Sequence, residues 1–436
     1  MALLVGYGRK CITPEESVPL AGYGNTSKRM STNILDDIYA TCVAFTDGDD
    51  STALLFTLDL LHANPQWTQA IREAITASCG IPGDKIMVAN THTHAAPDMY
   101  NREKECMPRY LQLLVTRAEA AAREALADRK PAKLFAGVRE MQQNMNFIRN
   151  YIKDPDAPGG LRHVDEPDRR LQLVKIEREG AQPIVLMNWQ GHPCFTGGTK
   201  KTDVSADYIG AVRKYMEEKT GGLFAFFQGA SGNVTAGSKI PGERITNDHA
   251  TYGTLLGEWS MLLYEKLEPV PAEKVTVLKK TIQVPYDHSD DHMVETAKIV
   301  RSYWMENYEH TACAKFANEH GLNSVYHASG ILMRANWPEF ADMELNVVSV
   351  GDVSFVCAPF EMYNSCACYI KDNSPFAMTF LVTSCNTLHG YLAEDRMFDI
   401  GCYEVDFRRY CRGTAEKVAQ EFVSMLRDLK QENQAR

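Results

Sequence analysis

The sequence predicts an α/β protein with mixed sheets flanked by helices. Two local patterns carry this reading. The first is a strand, helix, strand succession between Thr52 and Ala89, which is a βαβ unit and implies parallel strands in a buried sheet. The second is a pair of apolar runs, Leu345 to Val350 and Val353 to Cys357, meeting at Gly351-Asp352 as a hairpin, which is antiparallel.

In chain order, a strand from Ala40 to Phe45 closes at the turn Asp47-Gly48. Thr52 to Asp59 is the first strand of the βαβ unit. Asn64-Pro65 supplies a cap and a first-turn residue, Trp67, Ile71 and Ile75 follow at helical spacing, and Gly80 stops the helix. The second strand, Ile86 to Ala89, runs into Asn90-Thr91-His92-Thr93-His94. If that strand conformation continues, His92 and His94 lie two residues apart on one face and can share one task. Ligands in open α/β sheets bind beyond the carboxyl ends of strands, which is where this pair falls.

Pro108 to Arg129 reads as an Ala-rich amphipathic helix and Lys133 to Arg139 as a strand, leading to a polar stretch that holds Arg149. Asp154 to Arg162, rich in Pro, Gly and Asp, is expected to be a loop. Leu171 to Ile176 and Pro183 to Trp189 are a strand pair ending in Gly191-His192-Pro193. Asp203 to Asp207 caps a helix through Glu218. Phe224 to Phe227 is a buried strand opening into a glycine-rich turn that exposes backbone N–H groups and two hydroxyls, Ser231 and Thr235.

Helical text follows from Asp248 to Leu267 and from Met293 to Asn307, with a long strand from Lys274 to Pro285 between them. His288, His292, His310, His320 and His327 are expected to be surface histidines. The hairpin near residue 351 ends in Ala358-Pro359-Phe360-Glu361. A last strand, Ala377 to Thr383, delivers Asn386 to Tyr391, Gly401 to Glu404 follows, and Gly413 to Lys430 is the final helix.

Composition narrows the function. At 436 residues the chain can bury a large core, and 44% hydrophobic with 23% charged residues is ordinary for a globular protein. A formal charge of −10 argues against a nucleic-acid partner and gives no attraction to anionic lipid. The apolar start, Met1 to Gly8, is too short for a membrane span and its basic residues follow it, so no integral membrane association is expected. The 12 cysteines are scattered and read as reduced thiols, which points to a cytoplasmic protein.

Separate strand ends therefore carry His92 with His94, His192, Glu361 and Tyr391. Two histidines and a carboxylate make the ligand set of many catalytic zinc sites that keep a position open for water or substrate. Imidazole and carboxylate suit Zn²⁺ better than Ca²⁺ or Mg²⁺.

The ordered set Asn90 to His94, Gly191-His192-Pro193, Ser205 to Tyr208, Gln228 to Asn233, Ala358 to Glu361 and Asn386 to Tyr391 resembles the neutral/alkaline, non-lysosomal ceramidase family. The likeness runs from about Val5 to the final helix. It implies the layered fold of that family's catalytic domain, here as a single domain over residues 1–436 without the family's C-terminal β-sandwich or secretion signal. It also implies zinc held by His92, His192, Glu361 and Tyr391. His94 is then placed to meet the substrate or the developing oxyanion, Arg149 to contact substrate, and Tyr403 to lie near the site. The family pattern Gly-Asp-Val-Ser-Pro-Asn, whose serine is the nucleophile, appears as Gly232-Asn233-Val234-Thr235-Ala236-Gly237, which puts Thr235 in the serine's place. Ser231 and water activated by the ion are the alternatives. Ala95-Ala96-Pro97 replaces the more usual Ser-Gly-Pro. The resemblance implies a zinc-dependent hydrolase of lipid metabolism that cleaves a linear amide of a small-molecule N-acyl compound. An ester or lactone hydrolase and a silent ligand-binding relative stand as the other readings, and oligomeric state is not legible.

Overall fold

A computed structural model describes residues 3–23, 29–49, 51–62, 64–101, 104–141, 145–157, 160–198, 201–237, 248–307 and 309–435. Pro158 and Gly159 of the expected loop lie outside them. Two sheets dominate. The larger has nine strands: β1 (Leu4–Cys11), β2 (Tyr39–Thr46), β3 (Thr52–Leu58), β4 (Ile86–Asn90), β5 (Lys130–Glu140), β6 (Arg170–Arg178), β7 (Ile184–Trp189), β8 (Leu223–Gln228) and β9 (Glu268–Val270). Its order is β8-β7-β6-β5-β1-β2-β3-β4, with β9 also on β5. Only β3/β4 and β7/β8 are parallel. The smaller sheet runs β10 (Val275–Pro285), β11 (Phe340–Val350), β12 (Val353–Cys357) and β13 (Met378–Val382), and its β12/β13 pair is parallel.

Period-two alternation sorts the strand residues into layers. Val43, Phe45 and Leu55 of the large sheet pack with Leu186 and Phe227 against Val348, Phe355 and Phe380 of the small one. Their alternates Cys42, Ala44, Leu54 and Phe56 face the helices α1 (Pro65–Cys79) and α2 (Cys106–Ala127). On the other half, Leu171, Leu173 and Met187 meet α3 (Tyr208–Thr220) and α4 (His249–Tyr264). The C-terminal helix Thr414–Ala435 covers the outer face of the small sheet through Phe422, Leu426 and Leu429. Helix, sheet, sheet and helix therefore stack as four layers, in agreement with the fold class read from the sequence.

Capping chemistry accounts for helix ends where the sequence marks them. The Asn64 side chain accepts from Gln66 N, the chain turns left-handed at Gly80, and Asp207 caps α3, which ends at the left-handed Gly221. Several elements differ from expectation. Asp154 to Arg162 is not a simple loop, because Tyr151–Lys153 and Leu161–His163 pair as a small hairpin. Between β10 and β11 the helices Val294–Asn307, His310–Glu319 and Val325–Arg334 form an insertion with its own core. Within it His327 is buried, with Nε2 3.0 Å from an Asp290 carboxylate oxygen, and is not a surface histidine. Among the described residues no helix is long and apolar enough to cross a membrane.

The sequence reading sets no bounds for strand β1, which lies in the middle of the large sheet. Gly6 and Gly8 break its apolar pattern, and both have a packing reason. A Cβ on Gly6 would lie 1.9 Å from the Ala125 carbonyl oxygen and one on Gly8 2.1 Å from that of Ala121. The small residues Ala118, Ala121, Ala122 and Ala125 bring α2 down onto the β1 backbone.

The two outermost strands of the large sheet come together. Thr57 Oγ1 on β3 donates to the Phe226 carbonyl on β8 at 2.6 Å. The chain leaving β13 then links both edges: Thr383 N donates to Gln228 O at 2.9 Å and Asn386 N to Val88 O at 2.7 Å. Val88 N donates in return to Asn386 Oδ1 at 2.9 Å, and Asn90 Nδ2 to Ser384 O at 2.7 Å. Strand ends far apart in sequence are thus delivered to one place.

Gly6→Ala is expected to destabilise the protein by about 2–3 kcal/mol through overpacking against α2. Urea midpoints of the two proteins measure this, and an unchanged midpoint contradicts the close helix approach.

Candidate metal centre

His92 follows β4 by two residues, and its φ of 69° is left-handed, a conformation that costs a non-glycine residue about 1–3 kcal/mol. The turn is held by Thr91 N to Leu58 O (2.8 Å) and His92 N to Leu60 O (2.9 Å). Its ring is fixed by Nδ1 donating to Leu61 O at 2.7 Å. His192 lies just beyond β7, bridged in parallel to Thr235, with Nδ1 donating to Ser231 O at 3.0 Å. In both rings a carbonyl takes the Nδ1 proton, so both Nε2 atoms carry lone pairs.

Those lone pairs face one space. His92 Nε2 lies 3.2 Å from Glu361 Oε2, yet both atoms are buried and neither makes a hydrogen bond among the described residues. Glu361 pairs in parallel with Tyr391, so the carboxylate and the phenol leave neighbouring strands side by side. His94 Nε2 is 2.7 Å from His192 Nε2. Because His192 Nε2 is the acceptor, His94 Nε2–H is the donor. Its Nδ1 has no hydrogen-bond partner among the described residues, and it packs so closely on Gly22 that a Cβ there would come within 2.3 Å. The ligating atoms of His92, His94 and His192 lie within 4.8 Å of one another and could hold a metal ion.

Burial dominates the electrostatics. It pushes His94 and His192 well below the usual histidine value, and the neighbouring His92 pushes in the same direction. The Gly22 backbone opposes the shift at His94. Burial and then Glu361 raise Tyr391 well above the usual phenol value, against Arg149. For Arg149 burial opposes the charge, but Tyr391, Glu404 and Glu361 outweigh it and hold its pKa above the ordinary value. Glu404 is the counter-ion. Arg149 Nε donates to it at 2.6 Å, Asn150 Nδ2 at 2.9 Å and the Tyr363 hydroxyl at 3.2 Å. Burial raises the Glu404 pKa, but Arg149 overcomes this and holds the carboxyl below its ordinary value.

Of the other sequence-predicted residues, Arg149 and Tyr403 lie against Tyr391, and Thr235 is bridged to His192 through the backbone. The Arg149 guanidinium also donates to the Gly232 carbonyl and lies 5.5 Å from the Tyr391 ring centre. The Tyr403 ring is 5.6 Å from that of Tyr391 and is 42% exposed, at the open side of the cluster. On the short strand Val234–Ala236 the burial pattern turns Thr235 toward partial exposure, whereas Ser231 is fully enclosed with an unpartnered Oγ. Asn233, the departure from the acidic pattern, accepts Asn364 N at 3.0 Å through Oδ1, and so serves as a structural acceptor. Sequence reasoning did not assign the partners: Glu404, the Leu61 carbonyl, Ser384 with its left-handed φ of 51°, and His62. Glu404 sits in a segment the sequence singled out, but nothing local pairs it with a residue 255 positions away.

The donors fit a metal. Two oriented imidazole lone pairs and an unpartnered buried carboxylate oxygen at 3.2 Å need a cation or a proton between them, and with a phenol they form an N/O set suited to a borderline divalent ion.

Beside the centre, burial, His92 and Arg409 lower His62 to about 3, and burial and Arg409 lower His389 to about 4. Both values are depressed, so their stabilisation is complete above about pH 6.5 and is lost as pH falls toward the folded values, because the unfolded chain takes up the protons first. The expected loss is up to about 1.4 kcal/mol per pH unit for each histidine. Urea midpoints of chelator-treated protein from pH 7.5 to 4.5 measure it, and a flat profile contradicts the burial of these rings.

No protein-family profile matches the chain, and no curated protein matches it in sequence. Among solved structures, the neutral ceramidase from Pseudomonas aeruginosa superposes with a TM-score of 0.75 over 99% of this chain and 75% of that one, at 15% identity. A ceramidase complexed with C2 superposes with a TM-score of 0.73 over 99% of this chain and 76% of the other, also at 15% identity. At that identity the likeness is one of architecture: the chain has the fold of neutral ceramidase.

Proposed function

We propose that the protein is a zinc-dependent amidohydrolase that cleaves the linear amide of an N-acyl compound. The observation that carries this reading is the pair of buried, unpartnered atoms His92 Nε2 and Glu361 Oε2, facing each other beside the His192 Nε2 lone pair. The ceramidase fold supports the choice of amide chemistry, since those similar structures are described as ceramidases.

In this reading His92, His192, Glu361 and Tyr391 hold the ion, and the whole chain acts as one catalytic domain. When bound, zinc supplies Lewis acidity toward the amide carbonyl and eases ionisation of a nearby hydroxyl. His94 differs from the other two histidines in its tautomer. Its Nε2–H, now spent on His192, is the donor available to a carbonyl oxygen that gains negative charge. Arg149, fixed by Glu404, adds a second positive group on the same side of Tyr391. Thr235, half-buried and bridged through its backbone to His192, is the attacking group. Its oxygen forms the new bond to the carbonyl carbon, the C–N bond breaks, and the hydroxyl proton ends on the departing amine. Water then cleaves the acyl ester, releasing a carboxylic acid and restoring Thr235. The structural role of Asn233 leaves no reason in the geometry to favour a silent binder.

Purified protein is expected to contain stoichiometric zinc, and His92→Ala to lose it, by elemental analysis. A full metal complement in that variant overturns the ligand assignment. With N-acyl amides as substrates, His94→Ala is expected to lower kcat by about 10²–10³-fold, the size of one lost oxyanion donor. Thr235→Ala is expected to abolish turnover while Ser231→Ala retains it. Unchanged rates in both hydroxyl variants replace Thr235 with water as the nucleophile.

A further inference from the structure

One cation beside the centre is unmatched. The charges of Arg149, Arg334 and Arg408 are all met, by Glu404, Asp290 and Asp287 among others. Arg409 has no hydrogen-bond or ion-pair partner for its guanidinium among the described residues, and its Nε is buried without a partner. It lies 5.5 Å from the Trp337 ring centre. It also packs on the turn that delivers Tyr391, where a Cβ on Gly390 would come within 2.9 Å of its Nε. The Gly390 carbonyl in turn accepts Glu361 N at 2.9 Å.

The neighbouring turn carries a second unmatched group. His62 is 8% exposed, and neither ring nitrogen has a hydrogen-bond partner among the described residues. It directly follows Leu61, whose carbonyl fixes His92, and its ring sits 4.6 Å from that of Tyr100. The Leu61 carbonyl holds His92 and the Gly390 carbonyl holds Glu361, whose side chains meet at 3.2 Å, so the turns of His62 and Arg409 lie on either side of one pair. A neutral imidazole keeps one N–H to donate. A guanidinium fork and an N–H donor with nothing to bind, on the two turns that flank the metal centre, suit a planar anion.

We propose that Arg409 and His62 receive a carboxylate carried by the amide substrate, so that the substrate is an anionic N-acyl compound and not a neutral lipid amide. This rests on the amidohydrolase reading above. The carboxylate sits on either the amine or the acyl side of the scissile bond, and substrates of both kinds separate the two.

The test compares three amides of the zinc-loaded enzyme: N-dodecanoylglycine, its carboxamide N-dodecanoylglycinamide, and the mono-hexylamide of adipic acid. At least one carboxylate substrate is expected to exceed the carboxamide in kcat/KM by about tenfold or more, as for a hydrogen-bonded charge. Arg409→Gln is expected to collapse that ratio and Arg409→Lys to keep part of it. His62→Gln gives a second reading of the ratio if Arg409→Gln does not fold by circular dichroism. Turnover of all three amides at equal kcat/KM overturns the carboxylate site and leaves the amidohydrolase reading standing. If no amide is turned over, that reading fails and the site is judged by binding. N-dodecanoylglycine is then expected to change Trp337 fluorescence saturably where the glycinamide does not, with the change lost in Arg409→Gln. No such change overturns the site.

Discussion

The hydrogen bonds made by residues 383 to 386 to both edges of the large sheet are the constraint on which the site depends. Gln228 O on β8 and Val88 on β4 are bound by one short segment. A nine-stranded sheet twists, and without a tie its outer strands diverge. With the tie, the ends of β4 and β7 and the chain beyond β12 open into the same volume. The histidines and Glu361 meet because of backbone hydrogen bonds made by residues that take no part in the chemistry. Ser384 and Asn386 accept left-handed conformations there, with φ of 51° and 64°, and the surrounding network holds them in place.

Rigid support of this kind allows polar atoms to stay unpaired. A buried nitrogen or carboxylate oxygen without a partner costs about 1–3 kcal/mol, and a chain relaxes away from such an arrangement when it can. Here the His92 and His192 rings are each fixed through the far nitrogen, and the carboxylate is fixed by pairing with the Tyr391 strand. The side chains therefore keep their orientation whether or not anything lies between them. Preorganisation of this sort makes metal affinity depend on carbonyls such as those of Leu61 and Ser231 as much as on the ligands.

Much of this was legible in the sequence, for identifiable reasons. Alternation and caps marked β3, α1 and β4, because one face of each is buried and the ends carry Asn64 and Gly80. Strand ends that terminate in histidine or glutamate marked the site, since chemistry at the carboxyl ends of strands needs such residues. The bounds of strand β1 were hidden because Gly6 and Gly8 answer to the backbone of α2, a contact that no local pattern encodes. His92 and His94 look alike in sequence; the structure distinguishes them by what their Nδ1 atoms meet, a carbonyl for one and an unpartnered contact with Gly22 for the other. Glu404 and Arg409 were missed for opposite reasons. One is matched to a residue far away in the chain, and the other has no match among the described residues.

The helical insertion between β10 and β11 has a mechanical side. Asn323 Nδ2 and Ser324 Oγ both donate to the Asp406 carboxylate, at 3.0 and 2.5 Å, and the Tyr326 ring meets that of Tyr403 edge-on at 4.7 Å. Residues 403 to 406 form a single helical turn that also carries Glu404. The insertion thus grips a lever whose other arm orients Arg149. A shift of the insertion is therefore passed through that turn to the carboxylate that orients Arg149.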